Sequence, residues 1–302
     1  MRPRKSAGVV SGIGGLHKES IDSFEEGERM SIELHYRESG PMAPPPQTSN
    51  GARTDGPVPL IVLHGLFGSS DNWRSHLRQW GETRRVIAID LRNHGHSPHR
   101  HGMRYKEMAQ DVIATLDRLE IETFELLGHS MGGKVAMTLA RLHPERVARL
   151  IVADIAPIAY EHGHDDIFSA HRLVEDALPE SRREADEAMK LELGNPTTRQ
   201  FLSTNLVRDD QGILGWRVGL DEIEAGYSDI IAAPDGDAPY EGPTLVLRGE
   251  RSNYVPDESR AAILAIMPAA EIVTLEGAGH WLHAEQPGPF SEAVLAFLDR
   301  PS

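Results

Sequence analysis

The amino-acid sequence predicts an α/β fold in which a mostly parallel β-sheet carries helices on both faces. Short apolar runs of strand length alternate with stretches of helical periodicity over most of the 302 residues, which is typical of parallel sheets. One apolar run leads into Gly-x-Ser-x-Gly at residues 128–132, and a helical pattern follows at once. Between residues 160 and 240 the pattern is helical throughout. We expect a core of residues 30–159 and 241–302, with residues 160–240 inserted as a helical lid above the carboxyl ends of the strands, where such sheets bind ligands.

The predicted strands follow two patterns. Residues 31–36 alternate apolar and polar side chains, as expected for a half-buried strand, whereas the later runs are largely apolar, as expected for strands buried on both faces. The predicted strands are residues 31–36, 59–63, 85–90, 124–127, 146–152, 243–247 and 271–275.

Helices are predicted where apolar residues recur at helical spacing. In the core these are a helix beginning near Asn72 with Asp71 as its cap, and residues 105–119, 135–140, 257–267 and 289–298. In the lid they are residues 167–178, 182–193, 197–206 and 219–231. Residues 1–29 combine Gly, Ser and charge without periodicity and are predicted to be a disordered extension ahead of an alternative start at Met30. Residues 39–59 are rich in Pro, Gly and Ser and are predicted to be a surface loop.

Composition limits the classes of partner. The 46 acidic residues outnumber the 31 basic ones and give a net charge of −15, so we expect no nucleic-acid partner, because phosphate binding needs a basic face. The chain has no cysteine, which excludes disulfides, thiolate metal sites and a cysteine nucleophile. No apolar run approaches the roughly 18 residues of a membrane span, and the basic N-terminus lacks the apolar segment of a signal peptide. We expect a cytoplasmic protein with a small-molecule partner and no membrane partner; composition gives no indication of oligomeric state.

Ser130 is the candidate nucleophile. Gly128 and Gly132 would let the strand and the helix approach closely around a sharp turn, with the Ser130 hydroxyl at its tip above the sheet. Gly-x-Ser-x-Gly also occurs as an ordinary glycine-rich turn, but the strand before it and the helix after it favour a nucleophile elbow. Because a serine hydroxyl attacks poorly unaided, this hypothesis requires a base, an acid and an oxyanion hole elsewhere in the chain.

His280 is the candidate base. It lies in a glycine-rich loop just after the last predicted strand, and the chain order Ser…acid…His is the one that accompanies a nucleophile elbow. The chain has 15 histidines, so residue type alone selects none of them. We expect His129 to point away across the elbow from Ser130, and His283 to be structural because it lies one helical turn past His280.

The acid that would orient the base has two candidate locations. Folds of this kind usually carry it after the penultimate strand, but the expected position, a few residues after Gly249, is occupied by Ser252 and an asparagine. Asp257 fits a helix cap better. The other location is Asp154, at the end of the strand that follows the elbow helix, from which a carboxylate can also reach the histidine loop. The candidates are Asp154 first, Asp257 and Glu250 as alternatives, and Ser252 as an auxiliary member of the network.

An oxyanion hole needs two backbone N–H groups aimed at the developing negative charge. One would be that of Met131, the residue after the nucleophile. The other should come from the loop at residues 64–68, which reads His-Gly-Leu-Phe-Gly after the second predicted strand. Leu66 or Phe67 would supply it, and we favour Phe67 slightly.

Neither a metal nor a cofactor is expected. Four histidines lie close together, but no acid-rich or second histidine cluster accompanies them at helical spacing. The glycines at residues 12–15 and 65–68 do not complete a G-x-G-x-x-G turn. The four histidines are His94, His96, His99 and His101.

Together these motifs resemble the α/β-hydrolase superfamily over roughly residues 58–298. Residues 64–69, 90–97, 128–134, 154–157 and 277–285 are most similar to small bacterial YbfF-type serine esterases, and the same motifs recur in a related eukaryotic mitochondrial hydrolase. The resemblance implies an α/β-hydrolase fold and a triad whose acid is the aspartate before Ile-Ala-Pro, which is Asp154 here. It also implies that the serine at the position of Ser252 joins the catalytic network, and that short- to medium-chain acyl esters, or acyl-CoA thioesters, are hydrolysed.

Three functions are consistent with these residues. The first is a serine carboxylesterase or thioesterase that acts through an acyl-enzyme. The second is a carbon–carbon bond hydrolase or lyase of the same fold, as in menaquinone biosynthesis, in which Arg92, Arg172 or Arg208 would bind a carboxylated substrate. The third is a non-catalytic ligand-binding protein. The lid is expected to set the shape of the pocket through Phe168, Leu173, Leu206, Trp216 and Tyr227.

Overall fold

The computed structural model describes residues 32–41 and 58–301. Strands in these residues are β1 (Tyr36–Ser39), β2 (Leu60–Leu63), β3 (Val86–Ile89), β4 (Phe124–His129), β5 (Val147–Ala153), β6 (Leu206–Arg208), β7 (Leu214–Trp216), β8 (Thr244–Gly249) and β9 (Ala270–Leu275). Seven of them form one sheet in the order β1-β3-β2-β4-β5-β8-β9. β1 pairs antiparallel with β3, and the other neighbours in this sheet are parallel. β6 and β7 form a separate antiparallel pair.

Helices connect most of the parallel strands. Those in the core are α1 (Arg74–Trp80), α2 (Tyr105–Arg118) and α3 (Met131–Leu142), followed after the lid segment by α9 (Arg260–Ile266), α10 (Leu282–Glu285) and α11 (Pro287–Leu298). The segment between β5 and β8 contains α4 (Asp165–Ala177), α5 (Arg182–Met189), α6 (Pro196–Ser203), α7 (Leu220–Ala225) and α8 (Tyr227–Ile231). Short 3₁₀ helices precede α1 and α9 at Ser70–Trp73 and Asp257–Ser259. None of the described helices combines the length and apolar character needed to cross a membrane.

The sheet buries a core on each face. In β2, Leu60 and Val62 pack on one side while Ile61 and Leu63 pack on the other, as the two-residue period of a strand requires. Residues of α1 and α11 complete the first core, and residues of α2 and α3 complete the second. The predicted α/β fold is confirmed: the continuously apolar runs are strands with helices on both sides.

The prediction of a first strand at residues 31–36 was wrong. The strand begins at Tyr36 and runs to Ser39, along β3. Before it, the N–H groups of Ile32 and Leu34 donate to side-chain oxygens of α2, at 3.2 Å in each case. The apolar alternation therefore reflects packing against α2 and not strand pairing. The predicted disordered segment 1–29 and residues 42–57 of the predicted loop 39–59 lie outside the described residues.

Three further predictions from the sequence differ from the structure. The predicted helix at residues 219–231 is broken into α7 and α8 at Gly226, where an added Cβ would lie 2.5 Å from Met103 Cγ. The antiparallel pair β6–β7 was missed, because strands of three residues are too short to show a period. Asp71 was predicted to cap the first helix, but the residue at that position is Ser69, and Asp71 pairs with Arg37 and Arg74.

An aromatic cluster on the α1 side of the sheet holds two neutral histidines. His283 stacks on Trp73 with ring centroids 4.5 Å apart, and His76 contacts Trp80 at 4.9 Å. Both histidines are buried. Burial lowers the pKa of His76 to about 4 and holds the pKa of His283 well below its usual value. A protonated imidazole is therefore unfavourable in this cluster.

The cluster predicts that acid destabilises the fold through His76. A neutral His76 stabilises the folded state above the unfolded pKa of 6.5, and this contribution is lost as the pH falls toward about 4. We expect His76→Phe to remove about 2 kcal/mol of the fall in unfolding free energy between about pH 7 and pH 5. Urea titrations at both pH values measure this, with exposed His101→Gln as the control. Equal pH dependence in wild type and His76→Phe would contradict the prediction.

Candidate active site

The turn between β4 and α3 places Ser130 at its tip. Ser130 has φ +53° and ψ −121°, a backbone conformation that costs a non-glycine residue roughly 1–3 kcal/mol. A Cβ at Gly128 would lie 2.1 Å from the carbonyl oxygen of Gly132, and one at Gly132 would lie 2.4 Å from that of His64. The strand, the helix and the neighbouring loop are therefore packed so closely that both flanking positions require glycine. This is the geometry that a nucleophile elbow needs.

The structure brings the serine, the histidine and the first-choice aspartate into one hydrogen-bonded chain. Ser130 Oγ lies 3.0 Å from His280 Nε2, and His280 Nδ1 lies 2.7 Å from Asp154 Oδ2. Because an ionised carboxylate only accepts, Nδ1 carries the imidazole proton and Nε2 is free to accept from the serine hydroxyl. The arrangement can remove a proton from the hydroxyl and hold the resulting imidazolium next to a carboxylate.

Asp154 is buried and receives three hydrogen bonds. Its Oδ1 accepts from the N–H of Gly249 at 2.9 Å, and its Oδ2 accepts from the Ser252 hydroxyl as well as from His280. Ser252 therefore connects the loop after β8 to the Asp154 carboxylate, which directly follows β5. These three donors hold the carboxylate in place beside the histidine.

The alternative acids lie elsewhere. Asp257 is 88% exposed and pairs with Arg248 at 2.5 Å, without acting as the cap that was predicted for it. Glu250 is exposed, and its Oε2 accepts from the N–H of Gly277 at 2.8 Å. Neither carboxylate shares a hydrogen bond with His280, so the geometry favours Asp154.

Two side chains fix the position of the His280 imidazole. Tyr254 stacks on its ring with centroids 3.9 Å apart and an angle of 24° between the planes. His129 Nε2 donates to the backbone carbonyl oxygen of His280 at 2.8 Å. Burial lowers the pKa of His129 to about 3, so it stays neutral in this role. His129 thus supports the backbone of the histidine loop, and its ring lies 4.9 Å from that of His280.

The loop at residues 64–68 is held from two sides at Phe67. Its N–H donates to His94 Nε2 at 3.1 Å, and its carbonyl oxygen accepts from Asn205 Nδ2 at 2.6 Å. Phe67 has φ +58°, so these bonds hold a conformation that is unfavourable for a non-glycine residue. Because its amide is already engaged, Phe67 is the poorer candidate for the oxyanion hole. The preference moves to Leu66, whose N–H has no partner among the described residues.

The histidine that binds Phe67 is itself fixed as one tautomer. His94 Nδ1 donates to the carbonyl oxygen of Arg92 at 2.8 Å, which leaves Nε2 as the acceptor. Burial lowers the pKa of His94 to about 3, so it remains neutral over the physiological range. Nearby, His64 Nδ1 donates to the carbonyl oxygen of Gly65 at 2.8 Å and its Nε2 accepts from the N–H of Leu91. Two neutral imidazoles therefore hold the loop at residues 64–68 in place through hydrogen bonds.

A cavity of about 560 Å³ opens beside Ser130 and His280. Its wall combines residues of the core with residues of the segment between β5 and β8. Of the five lid residues expected to shape it, Tyr227 lines the wall, whereas Phe168 packs behind it against Tyr227 and Phe67. Leu173, Leu206 and Trp216 do not line the cavity. Apolar wall residues contributed by the segment are Ile167, Leu193, Phe201, Leu202, Tyr227, Ile230 and Ile231.

Comparison with known proteins identifies the family. The α/β hydrolase fold profile matches residues 58–287. The chain belongs to the α/β-hydrolase family. It is 40% identical over 271 residues to the sn-1-specific diacylglycerol lipase ABHD11 of Mus musculus, covering 87% of this chain and 88% of the relative. It is 36% identical over 242 residues to esterase YbfF of Escherichia coli K12, covering 80% of this chain and 93% of the relative.

A solved structure described as a marine microorganism esterase has the same fold as this α/β-hydrolase. The TM-score is 0.81 at 37% sequence identity, with 88% of this chain and 100% of that chain covered. The predicted resemblance to YbfF-type esterases is confirmed. Relatives named esterase or lipase support a hydrolase of ester substrates as the class of this chain.

The arginines considered for a carboxylated substrate do not line the cavity of this α/β-hydrolase. Arg92 is buried and bonded to Asp111 and Glu107, at 2.6 and 3.0 Å. Arg172 pairs with acidic side chains on the surface, and Arg208 donates to backbone carbonyls. No specific contact therefore favours the carbon–carbon hydrolase hypothesis through these residues.

The four histidines that lie close together in the sequence make separate contacts in the structure. His94 binds Phe67, His96 Nε2 lies 3.0 Å from Arg217 Nη1, and His99 Nε2 donates to the carbonyl oxygen of Arg217 at 3.0 Å. His101 is exposed. Among the residues that the structure describes, no three His, Cys, Asp or Glu side chains are grouped to hold a metal ion.

Sequence reasoning missed several residues of the site. Tyr254 and Asn205 carry no local signal, since each reaches the site from a loop whose path the sequence does not reveal. Lys134 falls within residues 128–134 of the elbow motif but had no predicted role, although it lines the cavity and is buried. A lysine in an otherwise apolar helix is unusual, and that signal could have singled it out.

Proposed function

We propose that the protein is a serine hydrolase that cleaves short- to medium-chain acyl esters, or acyl-CoA thioesters, through an acyl-enzyme. The observation that supports this most is the continuous chain of hydrogen bonds from Ser130 through His280 to Asp154. A cavity with a largely apolar wall beside the serine supports an acyl chain as the bound group. The esterase and lipase relatives support the same class of substrate.

In the first half of the reaction, Ser130 Oγ attacks the carbonyl carbon while His280 Nε2 takes the hydroxyl proton. Asp154 stabilises the imidazolium through the bond from Nδ1, and the Tyr254 ring face adds a cation–π contribution. The negative charge on the former carbonyl oxygen is stabilised by the N–H groups of Met131 and Leu66. As the tetrahedral intermediate collapses, His280 passes its proton to the departing alcohol or thiol.

In the second half, water replaces the leaving group. His280 Nε2 removes a proton from the water, whose oxygen attacks the acyl-enzyme carbonyl, and the same two N–H groups stabilise the second tetrahedral intermediate. The intermediate collapses to the free acid, and Ser130 recovers its proton from His280. Residues 160–240 act as a lid in this scheme, since they contribute much of the cavity wall and limit the access of water.

Turnover of p-nitrophenyl acyl esters tests the proposed function. We expect hydrolysis with a rapid first release of p-nitrophenol, since acylation frees the phenol before water attacks. Activity should be highest for short and medium acyl chains and fall for chains longer than the cavity accommodates. Rates of hydrolysis of acyl-CoA thioesters with the same acyl groups test the alternative substrate class. A folded protein that hydrolyses none of these compounds would contradict the proposal.

The bond from Asn205 to Phe67 predicts a defect confined to the transition state. Asn205→Asp keeps the size of the side chain but places a carboxylate against the Phe67 carbonyl oxygen. The repulsion displaces the loop at residues 64–68, which carries the Leu66 N–H proposed for the oxyanion hole. We expect kcat to fall by about 10- to 100-fold, with little change in KM, because an oxyanion hole acts on charge that develops during reaction.

Inhibitor binding separates this effect from general misfolding. A boronic acid, which mimics the tetrahedral intermediate, should bind Asn205→Asp more weakly by about the same factor as kcat falls. Gln211→Glu is the control for the change from amide to acid, because Gln211 is exposed and does not line the cavity. Unchanged boronic-acid affinity in Asn205→Asp would argue against a positioning role for Asn205.

A further inference from the structure

Lys134 occupies an unusual place for a lysine. It lies on α3 one turn after Ser130, and its side chain is 1% exposed in the wall of the cavity. Among the described residues that line the cavity, it is the sole lysine or arginine. The scheme of ester hydrolysis given above leaves it without a function.

The ammonium group is held in place without a counter-charge. Its Nζ donates to the carbonyl oxygens of Ala232 and Ile231, at 2.5 and 3.4 Å. It also lies over the rings of Tyr160 and Tyr105, at 4.6 and 5.6 Å from their centroids. No carboxylate of the described residues lies within ion-pair distance of it, and one of its three N–H groups has no acceptor there.

An uncompensated cation in such a place is costly. Burial lowers the pKa of Lys134 to about 7, and no neighbouring charge acts in the opposite direction. A buried charge normally persists only when it is paired. An anion in the cavity would supply the paired charge that this lysine lacks, because the cavity is the open space next to it.

The wall of the cavity also carries acidic side chains. Glu161 and Asp166 line it and are exposed. An anionic group in the cavity is therefore attracted toward Lys134 and repelled by these two carboxylates.

We propose that Lys134 binds a carboxylate carried at the far end of the acyl chain, so that the protein prefers half-esters of dicarboxylic acids to neutral fatty-acyl esters. This inference rests on the proposed ester hydrolysis at Ser130 and names the substrate class for it. The carboxylate pairs with the ammonium group through the N–H that lacks an acceptor, and the Tyr faces exclude water from the pair. The intervening methylenes lie against the apolar wall.

Matched ester pairs test the proposal. The probes are the mono-p-nitrophenyl esters of adipic, suberic and sebacic acid, each compared with the neutral hexanoate, octanoate or decanoate of equal length. In the wild type we expect kcat/KM of at least one diacid ester to exceed that of its neutral counterpart by about 10-fold or more, as charge-assisted hydrogen bonds allow. Lys134→Met should reduce that ratio by about 10- to 100-fold, chiefly through KM of the diacid ester.

Lys190→Met is the matched control. Lys190 is exposed and paired with Asp186 and Glu187, so its loss removes a positive charge without touching the cavity. This variant should keep the wild-type ratio. Calorimetric titration of Ser130→Ala with adipate provides a readout without turnover, in which Lys134→Met in the same background should abolish binding.

The outcomes are distinguishable. A wild-type ratio near one for every pair, with no binding of adipate, overturns the lysine site. So does a Lys134→Met variant that loses activity equally on diacid and neutral esters, because the lysine then serves only to tether α8 through Ile231 and Ala232. Absence of hydrolysis of all the esters contradicts the proposed function, and the adipate titration then still decides whether Lys134 binds carboxylates.

Discussion

Ser130→Ala is expected to lower kcat for acyl esters by about 10⁴-fold or more, since no other group can form the acyl-enzyme. The KM for a slowly hydrolysed ester should change little, because the cavity wall is unaltered. A fluorophosphonate should label the wild type once, at Ser130, and should leave Ser130→Ala unlabelled. Steady-state kinetics and mass spectrometry of tryptic peptides measure both effects.

Ser228→Ala is a suitable control for this experiment. Ser228 lies on α8, close in sequence to wall residues, but its side chain is exposed. It should retain full activity and full labelling. Turnover that survives in Ser130→Ala, or a label found on another residue, would refute the assignment of the nucleophile and support the non-catalytic hypothesis or a different reaction.

Asp154→Asn is expected to lower kcat by about 10²- to 10⁴-fold while Asp257→Asn remains active. An amide at position 154 carries no charge to stabilise the imidazolium, and its NH₂ group competes with the bond from His280 Nδ1. Asp257 is exposed and bonded to Arg248, so its replacement leaves the histidine undisturbed. Kinetics of both variants on one p-nitrophenyl ester measure the contrast.

The size of the Asp154 effect must be separated from loss of structure, because the residue is fully buried. Thermal unfolding and fluorophosphonate labelling of Asp154→Asn give that separation: a folded variant that is labelled slowly has lost activation of the serine. Ser252→Ala should show a smaller defect, since it removes one of three donors to the carboxylate. An active Asp154→Asn with an inactive Asp257→Asn would move the acid to the loop after β8.

The positions of most core strands along the chain and the elbow could be predicted from the sequence because both depend on local patterns. Buried parallel strands are continuously apolar, and Gly128 and Gly132 are required by close contacts that a short motif encodes. The location of Asp154 was reached in the same way, as the end of a strand adjacent to the elbow strand. The elbow and Asp154 directly follow paired strands of the sheet, so the strand pairing determines their positions.

The remaining parts of the site depend on loop paths, and loop paths carry little local signal. The preference for Leu66 over Phe67 rests on bonds to His94 and Asn205, which are 27 and 138 residues away from Phe67. The lid helices were predicted near their observed positions, but the side chains that face the cavity depend on how those helices pack together. Periodicity shows which residues of a helix are apolar and not which neighbour they meet.

The position of Asp154 directly after β5 has a consequence for how the site is assembled. Ser130 and Asp154 each follow the last residue of a strand, and those strands, β4 and β5, pair in parallel through His129 and Ala153. Two of the three residues, Ser130 and Asp154, therefore belong to one β-α-β unit, whereas His280 lies 150 residues after Ser130 in the chain. Because contacts within a short unit form at low entropic cost, we expect Ser130 and Asp154 to be in place before the C-terminal segment docks. Recovery of activity during refolding should thus track the docking of β9 and the histidine loop, even when most of the sheet has already formed.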